Sequence, residues 1–450
     1  MEEQRSKEEF ANLILKGKAE DIKQLLSELQ PFEIADVIQA LEPEDRSRVV
    51  DSLDKKTASE VILEIEPEIR EELLKTLDLG DIAQLVEEMD SDDATDLIGE
   101  LPDETARLVL EKLPPREVEE VETLLKYPDD SAGGIMQKEL VEVQQESTVA
   151  DAINWIRLIA EDVEDFHEIY VIDENEKLLG VVTPKKLLLS NPRAKVKNIM
   201  EPVEITATPS MDQEAVGNLF EKYDVFSLPV VGEDGELVGR ITADDVIDVI
   251  TEEASEDMYQ LAGVQEYLHP IYTPTVTRVR LRTPWLMLTL FGELMIAFVI
   301  IYAFKPTLQK VAILAAFMPA IMATGGNVGL QTVTIVIRGL GMGTIHVGEM
   351  IRLILAEVKV GMIIGSICGV VAAMIGSIIS MNEPEVAKLA IAVFVAMVTA
   401  TIATSFIGVA GPLTLYKLKF DPAAASGPFL TMFNDLFGSV VYLFIAMMIF

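Results

Sequence analysis

Five apolar stretches crowd the C-terminal part of the chain, roughly 284–304, 311–337, 360–380, 389–415 and 428–450. Each is long enough to cross a bilayer, for which about 20 residues suffice. In lipid a backbone must satisfy its own polar groups, so these stretches are restricted to helices packed on one another. The last run, Gly427 to Phe450, carries a carboxylate, Asp435. A charge at that depth is costly and is usually kept because it faces a bundle interior or a watery path. On helical spacing Gly427, Thr431, Asp435 and Gly438 form one small, polar stripe with oily residues on the other sides. A protonated Asp bonded to a neighbouring helix accounts for the same pattern.

The charge is divided as sharply as the hydropathy. Residues 271–450 hold 11 Lys/Arg and 7 Asp/Glu, so residues 1–270 hold 25 and 67, a balance of −42. Such an acidic half repels nucleic acid and anionic lipid and attracts cations or basic partners, although most of its charge is simply solvated. The single cysteine, Cys368, lies in an apolar run and offers neither a disulfide framework nor a thiolate metal site. The opening residues, MEEQRSKEEF, lack a signal peptide, which makes the cytoplasm the expected location of the N-terminal half. With that half inside, the inner loops carry Arg278, Arg280, Arg282, Arg338, Arg352, Lys359, Lys417 and Lys419, against Lys305, Lys310 and Lys388 outside. This satisfies the positive-inside rule and puts the C-terminus outside.

From Pro31 to about Pro114 the chain repeats every twelve residues. Leu41, Leu53, Ile65, Leu77, Met89, Leu101 and Leu113 mark the beat, each preceded four residues earlier by Val37, Val49, Val61, Leu73, Leu85, Leu97 or Val109. These are i,i+4 faces of short helices. Polar turns such as Glu42-Pro43-Glu44-Asp45 and Asp90-Ser91-Asp92-Asp93 are expected to cap them. The pattern predicts an α-solenoid-like array in which each helix buries its stripe against its neighbours, presenting an acidic surface and no catalytic pocket.

A second repeat follows a break at residues 126–134. Ile169-Tyr170-Val171-Ile172 and Leu178-Leu179-Gly180-Val181-Val182-Thr183 match Leu228-Pro229-Val230-Val231 and Leu237-Val238-Gly239-Arg240-Ile241-Thr242 at a constant offset of 59. Each copy is a hairpin flanked by amphipathic helices. The pair resembles tandem CBS domains, α/β modules that often bind adenosine nucleotides or metals. The resemblance implies a nucleotide (ATP) position near Tyr170 and Asp245, the acid of the Thr-x-x-Asp signature at Thr242 to Asp245. In the first copy Lys186 stands where that acid belongs.

The helix leaving the second copy places Asp245, Asp248, Glu252 and Glu256 on one face, with Glu253 and Asp257 beside them. Like charges at that spacing repel by a few tenths of a kcal/mol per pair. The face is either simply solvated or bridged by a divalent cation through oxygen and water. In the second apolar stretch, Thr324-Gly325-Gly326-Asn327 is expected to interrupt the helix, with Asn327, Gln331, Thr334 and Arg338 along one face. The fourth carries Thr401, Thr404, Ser405, Gly408 and an expected break at Gly411-Pro412, a pattern of close packing.

The order of these parts resembles the MgtE family of magnesium channels. The resemblance implies a multidomain chain: a helical, solenoid-like N-domain (1–125), two CBS domains (126–198 and 199–251), a connecting plug helix (252–277) and a five-span membrane domain (278–450). It implies a homodimer in the plasma (inner) membrane whose pore lies between two membrane domains, with Mg²⁺ as the ion and no nucleic-acid partner. By motif, Asp435 matches the pore carboxylate, and Asn327 and Thr431, with Gly325 in the same segment, match contacts to the water shell. Asp421 matches an acid that meets the connecting helix near Glu256 and Asp257, and Glu253 joins them among the acids expected to regulate through bound metal. Asp92 and Asp96 match acids that face Asp245 across a metal-bridged gap, and Glu214, Asp224 and Asp248 match a further bridging group. Some members carry amides where Leu330 and Gly427 stand here. A secondary transporter of broader selectivity (Co²⁺, Mn²⁺) and a non-conducting magnesium sensor are the alternatives. An enzyme is not expected, since no His-Glu-x-x-His stretch is present.

Overall fold

The computed structural model describes residues 26–159, 166–264, 271–310, 313–345, 347–381, 385–423 and 427–450. The N-terminal stretch read for targeting and residues 265–270 of the expected plug helix lie outside the described residues. The chain divides after Ile250 into two units.

Proline sets the beat of the first unit. Helices α1 (Pro31–Gln39), α2 (Pro43–Val50), α3 (Lys55–Leu63), α4 (Pro67–Leu74), α5 (Leu79–Glu87), α6 (Ser91–Glu100), α7 (Asp103–Leu110) and α8 (Pro115–Leu124) follow one another. Pro31, Pro43, Pro67 and Pro115 open four of them at the first position, where a missing N–H costs nothing and the fixed φ already suits a helix. Val37, Val49, Val61, Leu73, Leu85, Leu97 and Val109 are all buried, as the twelve-residue pattern requires. Two expectations need correction. Glu42 and Asp90 make no side-chain cap, whereas Asp54 does, accepting from the Thr57 N–H at 3.1 Å. The main partner of a helix is also generally the next but one: α1 packs on α3, α3 on α5, α5 on α7, α2 on α4 and α6 on α8. Ion pairs join the same rows, Arg46–Glu72 at 2.7 Å, Lys55–Asp81 at 3.0 Å and Arg70–Glu100 at 2.5 Å.

The tandem copies keep their offset in three dimensions. In the first, β1 (Glu142–Gln144) runs parallel to β2 (Ile169–Ile172), which pairs antiparallel with β3 (Leu178–Val182). In the second, β4 (Ser227–Val231) pairs with β5 (Leu237–Thr242). Ile169 opposite Val182 becomes Leu228 opposite Ile241, and a register shift after Val171 recurs after Val230. Helices α9 (Val149–Leu158), α10 (Pro184–Leu189), α11 (Gln213–Tyr223) and α12 (Ala243–Leu261) flank the hairpins. The hairpin tips meet through a Lys177–Glu236 bridge. The connecting helix does not begin afresh at residue 252: α12 starts at the end of β5 and stops at Leu261, two residues before Gly263 at φ +75°.

Among the described residues of the second unit, five helices are long and apolar enough to span a membrane: Thr275–Gln309, Leu314–Gly341, Met350–Ile379, Val386–Lys417 and Phe429–Ile449. We call them the first to fifth spans. Neither expected break occurs, since the second span is continuous through Gly325-Gly326 and the fourth through Pro412. One lost hydrogen bond at a proline costs less than freeing a turn of backbone into lipid. The third span lays Gly361 and Gly365 against the fourth, where an added Cβ would stand 2.3 Å from Ser405 Oγ and 2.1 Å from Thr401 Oγ1. A core of Phe317, Ile321, Val393, Met397, Tyr442 and Leu443 ties the second, fourth and fifth spans together.

Candidate ion-binding sites

In the fifth span a buried amide precedes the carboxylate. Asn434 is 1% exposed, and its Nδ2 donates to the Met322 carbonyl of the second span at 2.9 Å and to Asp435 Oδ1 at 2.8 Å. The Gly325-Gly326 pair makes room for it: a Cβ at Gly325 would stand 2.5 Å from Asn434 Oδ1, and one at Gly326 would stand 3.2 Å from Nδ2. The glycines form a socket; they do not loosen the helix. Gly325 is accordingly buried against Asn434 and does not line an open face. Gly438 faces Met322, while Thr431 is exposed and turns its hydroxyl back to the Gly427 carbonyl at 3.2 Å. Asn327, Leu330, Gln331, Thr334 and Arg338 all lie on an exposed face of the second span. Glu293 of the first span lies beside Asp435. Asp435 is therefore not the only acid at that place, and an acid inside an apolar run was a signal the sequence offered.

At the membrane end of α12, Asp257 faces Asp421 and Glu256, with Arg338 opposing them. Desolvation first, then Asp421 and Glu256, push the Asp257 carboxyl up to about 6. Asp421 accepts the Ala423 N–H at 2.7 Å. Leu261 packs against Val333, Ile337, Ala423 and Leu430. A Cβ at Gly427 would stand 2.4 Å from the Leu261 carbonyl, so only glycine admits the helix end this closely. Glu253, nearby on α12, is half-buried.

In the first unit, the N-terminus of α6 and the start of α12 bring acids together. Asp92 is buried, and burial, then Asp245 and Asp93, raise its carboxyl well above the usual range. Asp93 is pushed up to about 7 by desolvation and by Asp245, Asp90 and Asp96, and Asp90 to about 6 by desolvation and Glu139. Asp245 is raised as well, by desolvation and by Asp244 and Asp248, against its hydrogen bonds from Thr242. Asp92 and Asp245 thus sit within a larger group of acids that includes Asp90, Asp93, Asp244 and Glu139, and Asp96 acts on this group through Asp93. As a polar turn, Asp90-Ser91-Asp92-Asp93 is expected to cap a helix. Its Ser91 hydroxyl instead donates to Glu139 at 2.8 Å. Glu214 begins α11 and Asp224 ends it, about 15 Å apart along the helix. Within one chain they share no ion.

Among the described residues, no three carboxylate, imidazole or thiolate groups converge closely enough to hold a metal ion directly. Desolvated acids that raise one another's pKa do suit Mg²⁺, which keeps much of its water and meets few carboxylates. The expected nucleotide position lies where the two hairpins meet their helices. Tyr170 is fully buried with its hydroxyl on Ser227 at 2.7 Å, and Asp245 is engaged by Thr242.

Comparison with known proteins decides the family. The MgtE intracellular N domain matches residues 29–130, the CBS domain 132–190 and 196–252, and the divalent cation transporter of the MgtE type 318–445. Magnesium transporter MgtE of Bacillus subtilis (strain 168) is 36% identical over 337 residues, 75% of this chain and 73% of that one. The chain belongs to the MgtE family. Its counterpart in Thermus thermophilus is 33% identical over 74% of this chain and 73% of that one. A solved structure, the cytosolic domain of the Mg²⁺ channel MgtE in complex with ATP, is similar at 36% identity and a TM-score of 0.51, covering 53% of this chain and 97% of that one. An MgtE member is an integral membrane protein, and the five spans fit that class. The matched transporter segment contains Asn327, Asn434 and Asp435 but begins after the first span, so Glu293 lies outside it.

Proposed function

We propose that this chain is a Mg²⁺ channel that admits Mg²⁺ as a homodimer in the plasma membrane, with the N-terminal half in the cytoplasm and the C-terminus outside. The observation that carries the proposal is Asp435, a carboxylate in the fifth span held against the Thr-Gly-Gly-Asn segment of the second through Asn434. The relatives' role as magnesium transporters supports the choice of ion. Asn327 and Thr431, exposed on a single chain, are placed to meet the water shell between two copies. Closure by cytosolic Mg²⁺ uses the acid groups. In low Mg²⁺ the acids around Asp92 and Asp245, and those around Asp257 and Asp421, repel one another. A hydrated cation bridges them and favours the closed state. Moving that balance from 1:99 to 99:1 needs about 5.5 kcal/mol of differential binding, which several weak sites reach together.

Purified protein in liposomes tests the pore. Asp435→Ala should abolish selective Mg²⁺ uptake, and Asp435→Asn separates charge from shape. Unchanged Mg²⁺ flux in both variants would remove Asp435 from the path.

A further inference from the structure

Asn434 has a chemistry that packing alone does not require. Both protons of its Nδ2 are committed, one to the Met322 carbonyl at 2.9 Å and one to Asp435 Oδ1 at 2.8 Å. Its Oδ1 is buried and has no hydrogen-bond partner among the described residues. A buried amide oxygen left unpaired is unfavourable, and an apolar side chain of the same volume would fill the space without that penalty. What the amide adds is its pair of donors. The backbone opposite is shaped to receive it, because Gly325 and Gly326 leave the volume that two methyl groups would close.

From this geometry we infer that Asn434 is the positioning residue of the ion site: it fixes the Asp435 carboxylate to the backbone of the second span and so sets the ion selectivity of the pore. This rests on Asp435 being the pore carboxylate. Selection of a hydrated ion depends on where the carboxylate oxygens stand relative to the groups that meet its water shell, here Asn327, five residues beyond Met322 on the same helix. Mg²⁺ demands near-ideal octahedral geometry of its shell, whereas Ca²⁺ accepts irregular arrangements. A carboxylate free to rotate therefore loses discrimination before it loses attraction. The amide works through Asp435 and need not touch the ion.

The test is the ratio of Mg²⁺ to Ca²⁺ flux through the full-length protein in liposomes, for the wild type, Asn434→Ala and Asp435→Ala, with melting temperature measured alongside. Asn434→Ala should lower the ratio about tenfold, the scale of one hydrogen bond to a charged group, with Ca²⁺ flux retained. A merely structural role would reduce the flux of both ions together, by leaving fewer working channels, and would keep the ratio. An unchanged ratio, with or without lower total flux, overturns the inference while Asp435→Ala still abolishes selective flux. If Asp435→Ala conducts and discriminates like the wild type, the pore assignment falls and the positioning role falls with it. Should Asn434→Ala fail to assemble, Gly326→Ala takes its place, since its methyl would press on Nδ2 from 3.2 Å without deleting a polar atom. A lowered ratio there supports the inference and an unchanged one overturns it.

Discussion

At the scale of single residues, the clearest consequences concern acids that fold into each other's company. The carboxyls of Asp90 and Asp93 are raised from 3.8 to about 6 and about 7. An acid whose folded pKa exceeds its unfolded one takes up a proton on folding. Its penalty is absent below about pH 4, grows as pH rises through the interval, and is complete above the folded pKa. In chelator, therefore, melting temperature should fall between pH 4 and pH 7, and added Mg²⁺ should raise it more at pH 8 than at pH 5. Equal shifts at the two pH values would show that the acids do not meet the ion. Leu330 gives a second prediction. It is 43% exposed on the face that carries Asn327, so Leu330→Asn should sharpen preference for Mg²⁺ over larger ions in the liposome assay. An unmoved ratio would place it away from the ion. Asp435 was legible in the sequence because a charge in an apolar run has few explanations, and Glu293 satisfied the same rule. Asn434 was not legible in the same way. Its meaning depends on Met322 and the paired glycines more than a hundred residues earlier, which no local spacing reveals.

At the scale of elements, the twelve-residue pattern specifies which side of each short helix is buried but not what covers it. The i,i+4 spacing marks a stripe, and a stripe is equally content against the adjacent helix or the next but one. The alternate packing became visible only through contacts such as Arg46–Glu72, whose partners lie 26 residues apart. Leu73, buried between rows, gives a stability test: Leu73→Ala should cost about 2–5 kcal/mol, read as a lowered denaturation midpoint of the first unit. Paired glycines and an internal proline predict a break because in water they favour one. In a membrane the backbone stays helical and the glycines become room for a neighbour. The end of α12 yields another element-scale prediction. Since a Cβ at Gly427 would stand 2.4 Å from the Leu261 carbonyl, Gly427→Ala should push the helix end off its seat beside Asp421. Inhibition by cytosolic Mg²⁺ should weaken while open-state conduction persists, and wild-type inhibition in this variant would show that the contact plays no part in closure.

For the molecule as a whole, the division of charge fits the division of labour. An N-terminal part with a balance of −42 attracts cations, and the membrane part, with few acids, keeps Asp435 and Glu293 together inside its spans and Asp421 where α12 ends. The fold class and order of parts followed from the sequence because each rests on a period: twelve residues for the helical array, 59 for the tandem copies, and about 20 for a span. The ion sites are less regular, formed where α6 meets α12 and where the second span meets the fifth, and acquired their members only in three dimensions. In this proposal one protein both conducts Mg²⁺ and is shut by it. The most direct measurement is current through excised inside-out membrane patches holding this protein, with Mg²⁺ as the permeant ion and its concentration on the cytoplasmic face raised stepwise. If the proposal holds, a Mg²⁺-selective current closes as cytoplasmic Mg²⁺ rises and stays open when Asp245 and Asp248 are replaced by Asn. Absence of current, or a current indifferent to cytoplasmic Mg²⁺ in the unaltered protein, would contradict it.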